Sequence, residues 1–162
     1  MVNPQPSLAA EIRKKLPFTS PVEEAFLNLL RTASLLQAPS EQLFKQHGIS
    51  PAKYNILRIL RGSKITGESA DHGLPSLEIA DRMVTRVPDI TRLVDGLEID
   101  GLVLRTRCTE DRRVVYVGIT AQGLNLLERL DEPLMQQHQT LMSKLTAEEL
   151  AELNRLLVKA RM

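Results

Sequence analysis

Three arginines have the type and spacing for chemistry with a polyanion. Arg92 lies inside the helical pattern Val87 to Asp100, and Arg112 and Arg113 stand at the charged tip between two alternating runs. A guanidinium is a fixed fork of N–H donors that matches guanine O6 and N7, or a pair of phosphate oxygens. Enzymatic chemistry needs a nucleophile beside a base, paired carboxylates or a phosphate-cradling glycine loop. None of these occurs here in an interpretable context. His47, His72 and His138 lie far apart, without the His-x-x-x-His spacing of a metal pair. The expectation is a non-enzyme without metal or cofactor.

The elements around these arginines must position them. Ile90, Leu93, Val94 and Leu97 recur at the spacing of one buried helix face, with Arg92 almost opposite and Pro88 and Asp95 beside it. Gly101 stops that helix, and Leu102 is placed for the apolar contact that accompanies such stops. A shorter helical pattern precedes it, with Ser76 as N-cap; the Ser76 hydroxyl and the open amides there suit a phosphate. After the second helix, Leu102, Leu104 and Thr106 alternate with Val103, Arg105 and Arg107. A polar tip, Thr109 to Arg113, follows, and Val115, Val117 and Ile119 resume a period of two. Leu74 and Pro75 suit a short third strand. Helix, turn, helix and an arginine-tipped hairpin form the winged helix-turn-helix layout. The outward helix face would enter a major groove, and the tip would reach the backbone or minor groove. Pro88, Asp89 and Thr91 would lie near base edges, offering methyl contacts or an acceptor for cytosine N4. The alternative for Arg92 is a surface ion pair with Asp89, Asp95 or Asp111.

The stretches Leu77-Glu78-Ile79-Ala80-Asp81-Arg82, Thr91-Arg92-Leu93-Val94-Asp95, Gly101-Leu102-Val103 and Asp111-Arg112-Arg113, in this order, resemble the multiple-antibiotic-resistance regulator (MarR) family. Its wing signature, Asp-x-Arg-x-x-x-Val, is matched by Asp111, Arg113 and Val117. The resemblance implies a homodimeric transcription factor, often a repressor, released from DNA by a small ligand or an oxidant. It implies that Arg113 enters the minor groove while Asp111 orients it or a neighbouring arginine. Arg86 departs from the pattern, replacing a small hydroxylated cap with a candidate phosphate ligand. Gly96 departs too, where a basic residue is usual, and removes one phosphate contact.

The composition bounds the rest. The chain has 162 residues, 43% apolar and 25% charged, the profile of a soluble globular protein. No apolar run approaches the ~18 residues of a membrane span, and no secretion signal is read. One cysteine excludes an internal disulfide and fits a reducing cytoplasm. Cys108 reads as a structural thiol. With a net charge of +1, any positive surface must be local, at Arg86, Arg92, Arg105, Arg107, Arg112 and Arg113. An aromatic share of 3% without Trp argues against stacking on single strands.

The expected fold class is mainly α (α+β). Residues 1–19 form an arm, with Leu8, Ile12 and Leu16 on one face of a short helix that Pro17 ends. Residues 20–162 form a single domain, with dimerisation helices at 20–48 and 121–162 around a winged helix-turn-helix at 51–120. Ser20-Pro21-Val22-Glu23 is a capping box, and its helix buries Val22, Phe26, Leu29, Leu30, Ala33 and Leu36. Pro39 breaks that helix, and Ser40 to Gln46 form another. Ser50-Pro51 starts a helix on Tyr54, Leu57 and Leu60 that Gly62 stops. Residues 62–75 are irregular. Thr120 opens a helix on Leu124, Leu127 and Leu130, which Pro133 kinks or restarts. Thr146 to Glu149 is a second capping box, before Leu150, Leu153, Leu156 and Leu157. These last helices pack on the first long helix of a second copy, or their leucines bury each other within one chain.

The functional expectation is a double-stranded DNA-binding homodimeric repressor. Its recognition helices would lie ~34 Å apart on a near-palindromic operator, with a small-molecule effector altering that spacing. The alternative is a winged-helix protein–protein module that has lost DNA affinity.

Overall fold

A computed structural model describes residues 7–68, 73–108 and 114–162. In chain order the elements are α1 (Leu8–Glu11), α2 (Pro21–Gln46), α3 (Pro51–Ile65), β1 (Leu74–Pro75), α4 (Ser76–Asp81), α5 (Ile90–Ile99), β2 (Val103–Arg107), β3 (Val115–Ile119), α6 (Ala121–Met142) and α7 (Ala147–Arg161). The chain forms two compact units, one ending at Pro39 and one beginning at Ser40.

In the first unit, Ser7 caps α1 through its side chain, and the helix stops after four residues. The expected face therefore does not form: Leu8 is buried, but Leu16 is 74% exposed. At the start of α2, the Glu23 amide donates to Ser20 Oγ at 3.2 Å. The return bond of the expected capping box goes one residue further back. Glu23 accepts from the Thr19 amide at 2.8 Å and the Thr19 hydroxyl at 2.7 Å. Those two bonds hold the Glu23 carboxyl below its ordinary range. The expected burial of Val22, Phe26, Leu29 and Leu30 is overturned, because all four are exposed in the single chain.

The second unit holds the core. Ile56, Leu57 and Leu60 of α3 pack with Ile79, Val94, Leu97, Val117, Leu127 and Leu130. Ser50 caps α3 and Pro51 opens it, as the sequence predicts. Gly62 does not stop α3; the helix runs to Ile65 because Ser63 is still buried, its hydroxyl donating to Leu60 O. Pro39 does not break α2 either. Beyond it Phe44 is buried against the Tyr54 ring, 4.6 Å between centroids, and the Ser40 hydroxyl donates to Gln137 Oε1 at 2.9 Å. Those contacts offset the proline's missing amide and its clash with the preceding turn. Likewise α6 continues through Pro133, with Leu130 and Leu134 buried on either side.

The three strands form an antiparallel sheet in the order β1-β3-β2, pairing Leu74 with Val117 and Arg105 with Val117 on the other edge. The short third strand expected at Leu74 and Pro75 is present. Thr120 caps α6 through its side chain, and Thr146 and Glu149 form the full reciprocal capping box of α7. No side chain of α7 is fully buried.

Candidate nucleic-acid interface

The helix-turn-helix begins at α4. Its N-cap is Pro75, which makes no side-chain bond, and Ser76 is the first helical residue. The expectation of Ser76 as N-cap is thus corrected by one position. Proline's fixed φ leads the chain from strand directly into helix. Between α4 and α5 the chain turns over α3, where the Val84 amide donates to Asn55 Oδ1 at 2.9 Å.

The second helix starts at Ile90, three residues later than the periodicity suggests. Pro88 biases Val87 away from helical backbone. Asp89 then serves as N-cap, its Oδ1 accepting from the Arg92 amide at 3.0 Å. The expected loss of a cap at Arg86 is therefore corrected, because the cap lies at Asp89 and its carboxylate is already engaged. Val94 and Leu97 are fully buried, while Arg86, Pro88, Asp89, Thr91 and Arg92 are all exposed. These five predicted residues are thus open to solvent at the turn before α5 and on its first turn, with Ser76 half-buried on α4.

The far end of α5 is clamped. Gly101 takes φ +70°, where its amide donates to Glu98 O and the Leu102 amide to Leu97 O, both at 2.9 Å. This pair of hydrogen bonds closes the helix and seats Leu102 in the core with Leu97. Thr120 Oγ1 donates to Gly101 O at 2.8 Å, and Gln122 Nε2 to Asp100 O at 3.2 Å. Lys53, on α3, reaches the Asp100 carboxylate at 2.6 Å. Nothing in the sequence pattern flags Lys53 or Asn55, because both act across the fold from α3.

In β2 the face that carries Val103 and Arg105 is turned inward at its start and opens to solvent at Arg107. Val103 is buried and Leu104 is 47% exposed. Arg105 is therefore not part of a free basic surface: it pairs with Asp95 at 2.6 Å and Glu98 at 2.8 Å, both on α5. Arg107 is exposed. The Cys108 amide donates to Val114 O at 3.0 Å, closing the outer rung of the hairpin. Asp111, Arg112 and Arg113 lie outside the described residues, as do Asp71 and His72. Among the described residues no helix is long and apolar enough to cross a membrane, and no cluster of His, Cys, Asp and Glu has metal-binding geometry.

This architecture has close relatives. Residues 49–115 match the model of the MarR family. A MarR transcription factor from Planctomyces limnophilus superposes with a TM-score of 0.66 at 45% identity, over 87% of this chain and 98% of that one. The chain belongs to the MarR family. The HTH-type transcriptional repressor YetL of Bacillus subtilis is 35% identical over 65% of this chain, a match spanning 60% of the repressor's length. The structure of the S. aureus MepR–DNA complex matches with a TM-score of 0.70 at 26% identity, covering 83% of this chain and 95% of that one. The family is one of transcription regulators.

Proposed function

We propose that this chain is a homodimeric, sequence-specific binder of double-stranded DNA that represses transcription in the cytoplasm and is released by a small-molecule effector. One observation carries the reading. Helix α5 is anchored on Val94 and Leu97, and the Asp89-capped first turn offers Thr91 and Arg92 outward. In a major groove Arg92 would pair with guanine, and Pro88 and Thr91 would touch base edges. Ser76 and Arg86 would hold phosphates. Arg112 and Arg113 would reach the backbone and minor groove, with Asp111 orienting them. Support also comes from the S. aureus relative, whose structure was solved as a DNA complex. The effector reading rests on the family resemblance alone.

The dimer reading is supported by apolar side chains that the single chain leaves exposed on α2 and on the last helix, α7. These include Phe26, Leu29 and Leu30 on α2, and Leu156 and Val158 on α7. Pairing two copies would bury them and present two recognition helices about one DNA turn apart.

A second reading is favoured by the acids on α5. Asp95 and Glu98 on α5 and Asp100 at its C-cap outnumber Arg92, the one cation of that helix, which suits a protein–protein module. Binding to duplex DNA across a salt series separates the two. Repressor function predicts measurable affinity and a steep fall of log K with log salt, since each neutralised phosphate releases a counterion. An absence of affinity at low salt leaves the protein module standing.

A further inference from the structure

Helix α5 carries one cation, Arg92, against Asp95, Glu98 and the C-cap Asp100, and no basic residue in its last turn. Left alone, this arrangement is unfavourable twice over. Acids near a helix C-terminus oppose its dipole, and acids on a DNA-facing helix repel phosphates. The compensating cations come from other elements. Lys53 reaches in from α3, and Arg105 from β2 holds two acids at once. Its Nη2 also points at Thr91 O, at 3.4 Å. Arg105 therefore spans α5 from its first turn to its last, and it stands on the strand that leads to the wing.

We propose that Arg105 is a positioning residue for DNA binding. It locks the root of the wing to the recognition helix and cancels the acidic charge that this helix would otherwise present to the duplex. It does so without touching DNA. The proposal rests on α5 being the DNA-facing helix, and the test separates the two.

Binding of a random-sequence duplex across a salt series is compared for wild type, Arg105→Met, and Arg105→Met combined with Asp95→Asn and Glu98→Gln. Amide exchange of residues 90–99 is followed without DNA in the first two. The expected result is a loss of about tenfold in Arg105→Met. The loss shrinks as salt rises and screens the uncovered acids, most of it is recovered in the triple variant, and exchange in α5 is faster. Unchanged affinity overturns the proposal. A slope shallower by about one counterion, without recovery in the triple variant, also overturns it and makes Arg105 a phosphate ligand. Should the wild type lack duplex affinity, the DNA reading itself fails and the exchange measurement decides. Faster exchange then keeps the lock between wing and helix, and unchanged exchange removes it.

Discussion

The ammonium of Lys53 lies over Gly96, 2.8 Å from where a β-carbon on that glycine would sit, and 2.6 Å from Asp100. The missing side chain opens the path by which α3 reaches the end of α5. From the sequence Gly96 removes a phosphate contact and costs helix propensity; the structure gives it a further consequence.

Replacing Gly96 with Ala sets two effects against each other. Helix propensity favours alanine by up to ~1 kcal/mol. The displaced lysine tail is flexible, and a surface ion pair contributes about 0–1 kcal/mol. Gly96→Ala should therefore be neutral to modestly stabilising in chemical denaturation. A clear loss of stability would mean that the Lys53–Asp100 pair holds α5 more firmly than its exposure suggests.

Asp89 caps α5, so Asp89→Ala should lower stability by about 1 kcal/mol, and Asp89→Ser should restore most of it. Urea midpoints measure both. A serine variant with restored stability but altered base preference would give the carboxylate a reading role in addition to the cap.

Arg92 is the exposed cation at the centre of the proposed interface. Arg92→Ala should cost ~1–3 kcal/mol of DNA affinity and relax preference at one base position. Binding to a randomised duplex library, followed by sequencing, reads both. A uniform loss across sequences with a shallower salt slope would assign Arg92 to phosphate.

Arg61 grips both oxygens of Asp131, at 2.6 and 2.8 Å, and Arg58 adds a bond at 3.0 Å, tying α3 to α6. Hydrogen bonding to Arg61 is the main reason the Asp131 carboxyl titrates below its ordinary range. A depressed folded pKa gives stability that is fully present above the ordinary carboxylate range and is lost as pH falls through the lowered value. Asp131→Asn should therefore be less stable than wild type by about 1 kcal/mol at neutral pH, allowing for the partial exposure of the pair. The gap should close in strong acid. A gap independent of pH would assign the loss to packing.

The exposed apolar rows on α2 and α7 should seal a dimer. Phe26→Asp and Leu156→Asp are each expected to shift the protein toward monomer in sedimentation, and to reduce DNA affinity in step. A wild-type protein that sediments as a monomer at high concentration removes this reading.

Local signals in the sequence were reliable where the chain's own neighbours decide the structure. The caps at Ser50, Thr120 and Thr146, the stop at Gly101 and the alternation of β3 are all read within a few residues, and all are present. Breakers were over-weighted. Pro39, Gly62 and Pro133 each carry a local cost, but Phe44, Ser63 and Leu134 dock in the core beyond them, and packing outweighs propensity. The start of α5 was misplaced because a hydrophobic period does not reveal which polar residue caps it. The exposure of Thr91 and Arg92 on α5 was legible from periodicity. Lys53, Asn55 and the engagement of Arg105 were not, since each depends on an element distant in sequence.

The outer strand of the sheet has a consequence for behaviour in a crowded cell. β1 is only two residues long, and Pro75 within it has no N–H to offer a stranger. A sheet blunted in this way resists extension by a foreign strand from that side. Copies gathering at high local density can thus meet through their helices without seeding fibrous aggregation there.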